Sequence, residues 1–170
     1  MNKKISKKSS IGTVFIYAIS SIVIILVFYF GYRGVIGLDK ANQDSIAERM
    51  QLRMKADMDE LSMHYGASAR FSYDTSKYFT KICFVELHLN STNELSRNAT
   101  LRANHTLIWD SVSSASPSNV FGMGERFFSF DAGKMSVNCS PYIYCQDVKR
   151  GKVSFFAEGE GDSVKILCQI

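Results

Sequence analysis

The four cysteines are the residues whose chemistry this sequence constrains most closely. Cys83, Cys139, Cys145 and Cys168 all follow a long apolar N-terminal segment, and an even number of cysteines in an oxidising compartment indicates two disulfides. Of the three pairings that four cysteines allow, we favour Cys139–Cys145 as a local link and Cys83–Cys168 as a link between an early strand and the last one. Free buried thiols are the alternative. A zinc site is disfavoured because no CxxC or HxxxH spacing is present.

A second group of residues predicts covalent modification. Asn90, Asn98 and Asn104 each begin an Asn-X-Thr acceptor pattern for N-glycosylation within one polar stretch. Asn138 begins a fourth pattern, which is weaker because its neighbour Cys139 would be held in a disulfide. We expect glycosylation at one or more of the first three, and the alternative is a polar loop that happens to be rich in Asn and Thr.

No residue pattern predicts catalysis. His64, His88 and His105 are isolated from one another, and the chain contains no GxSxG, HExxH or P-loop sequence. Gly122-Met-Gly is interpreted as a turn. The acidic stretch 158–162 could contribute to a weak calcium site, but it suits a plain hairpin turn better. We therefore expect a protein that is not an enzyme and that holds no metal and no cofactor.

The element that dominates the chain is the uncharged run of residues 9–32. Its length exceeds the roughly 20 apolar residues that cross a bilayer as a helix. Lys3, Lys4, Lys7 and Lys8 precede it, so the positive-inside rule places the N-terminus in the cytoplasm and the rest of the chain outside the cell membrane, after a single pass. Aromatic residues near Tyr32 suit the outer membrane–water boundary.

A cleavable signal peptide is the main alternative to this permanent anchor. Such a peptide has an apolar segment of about 7–15 residues and a cleavage site of small residues. The apolar run here is longer, and the best cleavage sequence, Val35-Ile36-Gly37, fits poorly. We therefore expect the helix to remain in the mature protein.

The charge distribution argues against a nucleic-acid partner. The chain carries 20 Lys and Arg against 16 Asp and Glu. Five of the basic residues and none of the acidic ones lie in residues 1–38, which leaves 15 basic against 16 acidic residues, a net charge of −1, in the remainder. The basic character is thus a signal of membrane topology, and we expect no nucleic acid to bind.

The pattern after the apolar run predicts an α+β protein. Ile46, Met50, Met54, Met58, Leu61 and Tyr65 form an apolar stripe at helical spacing, ended by Gly66. Gly31, Gly34 and Gly37 could bend the helix before this stripe. Period-two patterns then predict strands at 69–73, 81–89, 125–130, 133–138, 152–157 and 163–170, with a hairpin-like turn at 74–77, and Thr106–Trp109 suits either a strand or a helix.

Four segments result from this pattern. They are a cytoplasmic basic tip (1–10), a transmembrane helix (11–32), a juxtamembrane amphipathic helix (33–66) and a small antiparallel β-rich extracytoplasmic domain (67–170). We expect the methionine-rich face of the amphipathic helix to pack on its own domain, the alternative being a neighbouring subunit.

The sequence Lys7-Lys8-Ser9-Ser10-Ile11-Gly12-Thr13-Val14-Phe15-Ile16 resembles the start of archaeal type IV pilin-like proteins, which carry a class III signal peptide. The resemblance implies cleavage beside Ser9 or Ser10 on the cytoplasmic side, after which the helix packs into a filament core. The chain departs from many pilins in having no acidic residue before Asp39. The outer domain also resembles uncharacterised archaeal membrane-anchored surface proteins, through Cys83-Phe-Val-Glu and Gly159-Glu-Gly-Asp-Ser-Val.

These observations together predict a non-enzymatic, single-pass surface protein that serves as a pilin-like subunit of a filament or secretion system. Its partners would be membrane lipid and copies of itself or other pilin-like subunits. The alternative is an anchored extracellular binding or adhesion module that does not polymerise.

Overall fold

A computed structural model describes residues 8–87, 99–139 and 142–168 of the chain. It begins with one long helix, α1 (Lys8–Ser62). The chain divides into two compact units, Met1–Asn42 and Gln43–Ile170, and the second is called the head below. The boundary between the units falls inside the predicted juxtamembrane segment, because the last part of α1 packs with the β-strands.

The part of α1 within the head is amphipathic, as the stripe predicts. Met50, Met54, Met58 and Leu61 are buried, whereas Tyr65 is 85% exposed and lies beyond the end of the helix. The chain then turns at Gly66, whose φ of +76° is a conformation that glycine adopts without strain. The backbone N–H of Gly66 donates to the carbonyl of Gly159, so this turn is held against the sheet.

Among the described residues after this turn there are two short helices and eight strands. The helices are α2 (Ala99–Asn104) and α3 (Thr106–Ser113), so the ambiguous segment 106–109 is helical. The strands are β1 (Ser68–Asp74), β2 (Phe79–Val85), β3 (Val120–Gly124), β4 (Phe128–Phe130), β5 (Met135–Val137), β6 (Ile143–Asp147), β7 (Lys152–Gly159) and β8 (Val164–Leu167).

These strands form two four-stranded sheets, with strand orders β1-β7-β8-β5 and β4-β3-β2-β6. The α+β class and the long N-terminal helix are confirmed, and all pairs are antiparallel except β5 with β8, which is parallel. The predicted hairpin at 74–77 is wrong, because β1 and β2 belong to different sheets. The predicted turn at Gly122 is also wrong, since this residue lies in β3, opposite Ile82.

One core joins both sheets to the end of α1. Phe84 of β2 and Phe155 of β7 meet with ring centroids 4.5 Å apart, and both are fully buried with Met54. A second cluster covers the other face of β2, where Cys83 and Val85 pack with residues of α3 and β3. The predicted alternation of β2 is therefore present, but both faces of the strand are buried.

Candidate functional site

The exposed apolar surface of α1 is the most prominent feature of the first unit. Every large hydrophobic side chain from Val14 to Leu38 is exposed. The helix is long and apolar enough to cross a membrane, on length and composition alone. The first described residue, Lys8, lies at the start of the helix, and Arg33 lies over the ring of Tyr29 at 5.3 Å.

The helix is continuous through its three glycines. Gly31, Gly34 and Gly37 all have helical backbone, so they do not interrupt α1. A Cβ atom added at any of them would meet no other atom within 4 Å. No contact within the described chain therefore requires glycine at these positions.

The methionine stripe packs on its own head, which confirms the expected arrangement. Met50, Met54 and Met58 are each no more than 2% exposed. The same helix face carries a polar contact to β1, because the Tyr73 hydroxyl donates to Asp57 Oδ2 at 2.8 Å. Burial, with a smaller contribution from this carboxylate, raises the pKa of Tyr73 well above its ordinary value. The hydroxyl therefore remains a protonated donor that fixes the helix on the sheet.

All four cysteines form disulfides, but the favoured pairing is wrong. The bonds are Cys83–Cys145 and Cys139–Cys168. Cys83 on β2 lies directly opposite Cys145 on the edge strand β6, so the sheet register brings them together. The sequence pattern does not predict β6. Without this strand, no register in the sequence places Cys145 opposite Cys83.

The second disulfide also follows from a strand pairing. Cys139 comes two residues after β5 and Cys168 directly after β8, and these two strands are parallel neighbours. Both cysteines therefore leave the same end of the sheet together. A Cys139–Cys145 bond would instead join the two sheets, because Cys139 follows β5 of one sheet and Cys145 lies in β6 of the other.

Of the residues predicted to be modified, the structure describes Asn104, Ser9 and Ser10. Asn104, the last residue of α2, is exposed. Asn90 and Asn98 lie outside the described residues, and glycosylation at all three stays a prediction. Ser9 and Ser10 lie in the first turn of α1, and cleavage beside them stays a prediction as well.

The acidic stretch 158–162 contains the turn between β7 and β8. The Glu160 backbone N–H donates to the Ser163 carbonyl, and Gly161 has a φ of +94°. The Glu160 carboxylate accepts from the hydroxyls of Ser136 and Ser163 at 3.1 and 3.0 Å. Across the described ranges, no three His, Cys, Asp or Glu side chains are grouped as a metal site.

The described histidines lie apart and carry no recognisable catalytic arrangement. His64 is exposed, with Nδ1 3.0 Å from the Glu60 carbonyl oxygen. His105 precedes α3 and has a buried Nδ1 without a hydrogen-bond partner. Burial and then the charge of Lys81 lower the pKa of His105, which favours the neutral ring. His88 lies outside the described residues.

Two of the clefts in the described part of the head differ in charge, and the sequence pattern indicates neither of them. A cleft of about 420 Å³ between α1 and the end of β1 is lined by Arg49, Arg53 and Asp74, and it is called the arginine cleft below. A cleft of about 570 Å³ beside β5 is called the acidic cleft. It is lined by Asp131, Lys134, Glu160 and Asp162, among others.

Comparison with known proteins gives no relative. No protein family, curated protein or solved structure matches the chain.

Proposed function

We propose that this chain is a non-enzymatic surface protein that α1 anchors in the cell membrane with a single pass. The observation that carries the proposal is the exposed apolar surface from Val14 to Leu38. Leaving such a surface in water costs roughly 25 cal/mol per Å² of apolar area. A contiguous surface of this size therefore calls for lipid or another protein around it.

The charges and the cysteines support a head outside the cytoplasm. Four lysines lie in residues 1–8, whereas Arg33 is the single basic residue between 9 and 38. This bias keeps the N-terminus on the cytoplasmic side. The disulfides Cys83–Cys145 and Cys139–Cys168 favour the same orientation, because the cytosol keeps most thiols reduced.

A pilin-like subunit of a filament or secretion system is the specific form that we favour. The resemblance at Lys7–Ile16 supports it, and so does the continuity of α1 from Lys8 to Ser62. Met54 and its neighbours make the end of that same helix part of the head core. One helix would then both assemble with other copies and carry the head. The rival form is an anchored binding or adhesion module that stays monomeric in detergent.

Carbonate extraction of membranes from the native host tests the anchor. The wild-type chain is expected to stay in the membrane pellet. Replacing Ile19 and Ile24 together by Lys is expected to move it to the soluble fraction, since each lysine near the centre of a spanning helix costs about 2.5–3.5 kcal/mol.

The matched control places two lysines on exposed apolar residues of the head. Leu52→Lys with Met63→Lys adds the same charge at residues that are 63% and 74% exposed, and it is expected to stay in the pellet. A wild-type chain that carbonate extracts completely would contradict the anchor. So would a pellet fraction that the Ile19 and Ile24 substitutions leave unchanged.

A further inference from the structure

We propose that the heads of neighbouring copies contact one another head to tail, with the arginine cleft of one copy against the acidic cleft of the next. This inference rests on the proposed function, because assembly of the helices is what would bring the heads together. It adds a specific surface and a specific partner, a second copy of this chain.

The arginine cleft offers two cationic groups that no described carboxylate pairs with. Arg49 and Arg53 are one helical turn apart on α1, and both are exposed. Within the described part of the chain, neither forms an ion pair. The acidic residue of the cleft, Asp74, pairs with Lys152 and not with either arginine, since its Oδ1 lies 3.5 Å from Lys152 Nζ. Guanidinium groups suit carboxylate partners because they can donate two parallel hydrogen bonds.

The cleft also has an apolar component. Leu52, between the two arginines in sequence, is 63% exposed, and Ile46 is half-buried at the other end of the lining. The cleft therefore combines charge with apolar area that a partner could cover. This combination suits a protein surface better than a small inorganic anion.

The acidic cleft supplies the complementary charge. Asp131, Glu160 and Asp162 line it together with one base, Lys134. Lys134 Nζ is 4.0 Å from the Asp162 carboxylate, and both side chains are 78% exposed, so this pair neutralises little. Lys165 Nζ also lies 3.9 Å from the Glu160 carboxylate. Three carboxylates against Lys134 and Lys165 leave an excess of one negative charge at the cleft.

The positions of the two clefts determine the kind of contact. Tyr73 and Asp74 of the arginine cleft end β1, whereas Met135 and Ser136 of the acidic cleft belong to β5. β1 and β5 are the opposite edges of one sheet. A contact between two different surfaces of the same molecule is heterologous, and its repetition gives a ring or an open filament.

Charge reversal on the full chain in detergent tests this contact, with sedimentation velocity as the measure of association. The variant Arg49→Glu with Arg53→Glu brings like charges together in the contact, and we expect its association constant to be at least about tenfold lower than that of the wild type. The variant Asp131→Lys with Asp162→Lys is expected to show a decrease of the same size. An equal mixture of the two variants is expected to associate as the wild type does, because every contact in an alternating chain then pairs opposite charges.

Two further variants separate loss of the contact from a folding defect and from a change in net charge. Asp131 accepts a hydrogen bond from the Gly133 N–H, so Asp162→Lys alone is the milder test of the acidic cleft. Lys55→Glu with Lys149→Glu changes the net charge as the arginine variant does, at exposed positions outside both clefts, and is expected to associate normally. Association of the wild type should weaken between about 0.1 M and 1 M salt, as the screening length falls from roughly 10 Å to 3 Å.

Two results would overturn the contact. One is association of both charge-reversed variants at the wild-type level, and the other is a mixture that associates no better than its components. Carbonate extraction of the same samples separates this failure from a failure of the anchor. Variants that stay in the membrane and still associate contradict only the head-to-tail contact.

Discussion

At the scale of single residues, Met54 links the helix to the sheets. It is fully buried on α1 and belongs to the core that Phe84 and Phe155 share between the two sheets. The flexible, unbranched side chain of methionine suits an irregular gap between elements that cross one another. Tyr73 adds a polar contact to the same helix, since its hydroxyl donates to Asp57.

Met54→Ala is expected to lower the free energy of unfolding of the head by about 2–5 kcal/mol, because it removes buried contacts and leaves a cavity. Denaturant unfolding of the full chain in detergent, followed by tryptophan fluorescence, measures the change. The neighbouring Lys55 is exposed, so Lys55→Ala should change stability by no more than about 0.5 kcal/mol. Equal losses in the two variants would show that α1 does not pack on the sheets through Met54.

At the scale of elements, each disulfide connects two paired strands or the ends of two paired strands. Cys83–Cys145 ties the edge strand β6 to β2, and Cys139–Cys168 ties the ends of β5 and β8. The bonds close loops with sequence separations of 62 and 29 residues. In the chain-entropy picture, such loops restrict the unfolded chain by about 4 and 3.5 kcal/mol respectively.

Peptide mapping without reduction is expected to recover Cys83 linked to Cys145 and Cys139 linked to Cys168. Replacing Cys83 and Cys145 together by Ser should destabilise the head by about 4 kcal/mol, and the same change at the other pair by about 3.5 kcal/mol. A recovered peptide that links Cys139 to Cys145 would contradict both bonds.

The local sequence pattern predicts α1 and several strands, but it does not predict which strands pair with one another. The methionine stripe predicts its own burial because helical spacing defines one face. The sequence pattern does not predict β3, because Gly122 and Gly124 resemble turn residues. At Gly124 a Cβ would collide with the Tyr78 carbonyl, so the close approach of β2 and not a turn demands glycine.

The candidate surfaces depend on pairings that sequence alone does not reveal. The arginine cleft exists because β1 runs beside α1, and the acidic cleft exists because β5 pairs with β8. β6 and β7 lie between β5 and β8 in sequence, and although α1 and β1 are consecutive, no periodic pattern shows which helix residues face the end of the strand. The exposed apolar run from Val14 to Leu38 was predictable, since it depends on composition over a continuous segment.

At the scale of the whole molecule, the chain combines an apolar helix with a disulfide-linked head. The apolar unit offers no described buried core of its own, whereas the head has two hydrophobic clusters. This division is what an anchored surface protein requires, because the membrane would replace a protein core for residues 14–38. The two charged clefts are the surfaces through which we propose that the heads of neighbouring copies associate.

The most direct test of the anchor is the intact mass and N-terminal peptide of the protein recovered from its native membrane, before and after reduction. We expect a mature chain that retains residues 14–38, begins at Ser10 or Ile11, and gains the mass of four hydrogens when its two disulfides are reduced. A start at Met1 would leave a plain anchor and remove the pilin-like form. A start near Leu38 would contradict the anchor, because the apolar helix would then have been removed as a signal peptide.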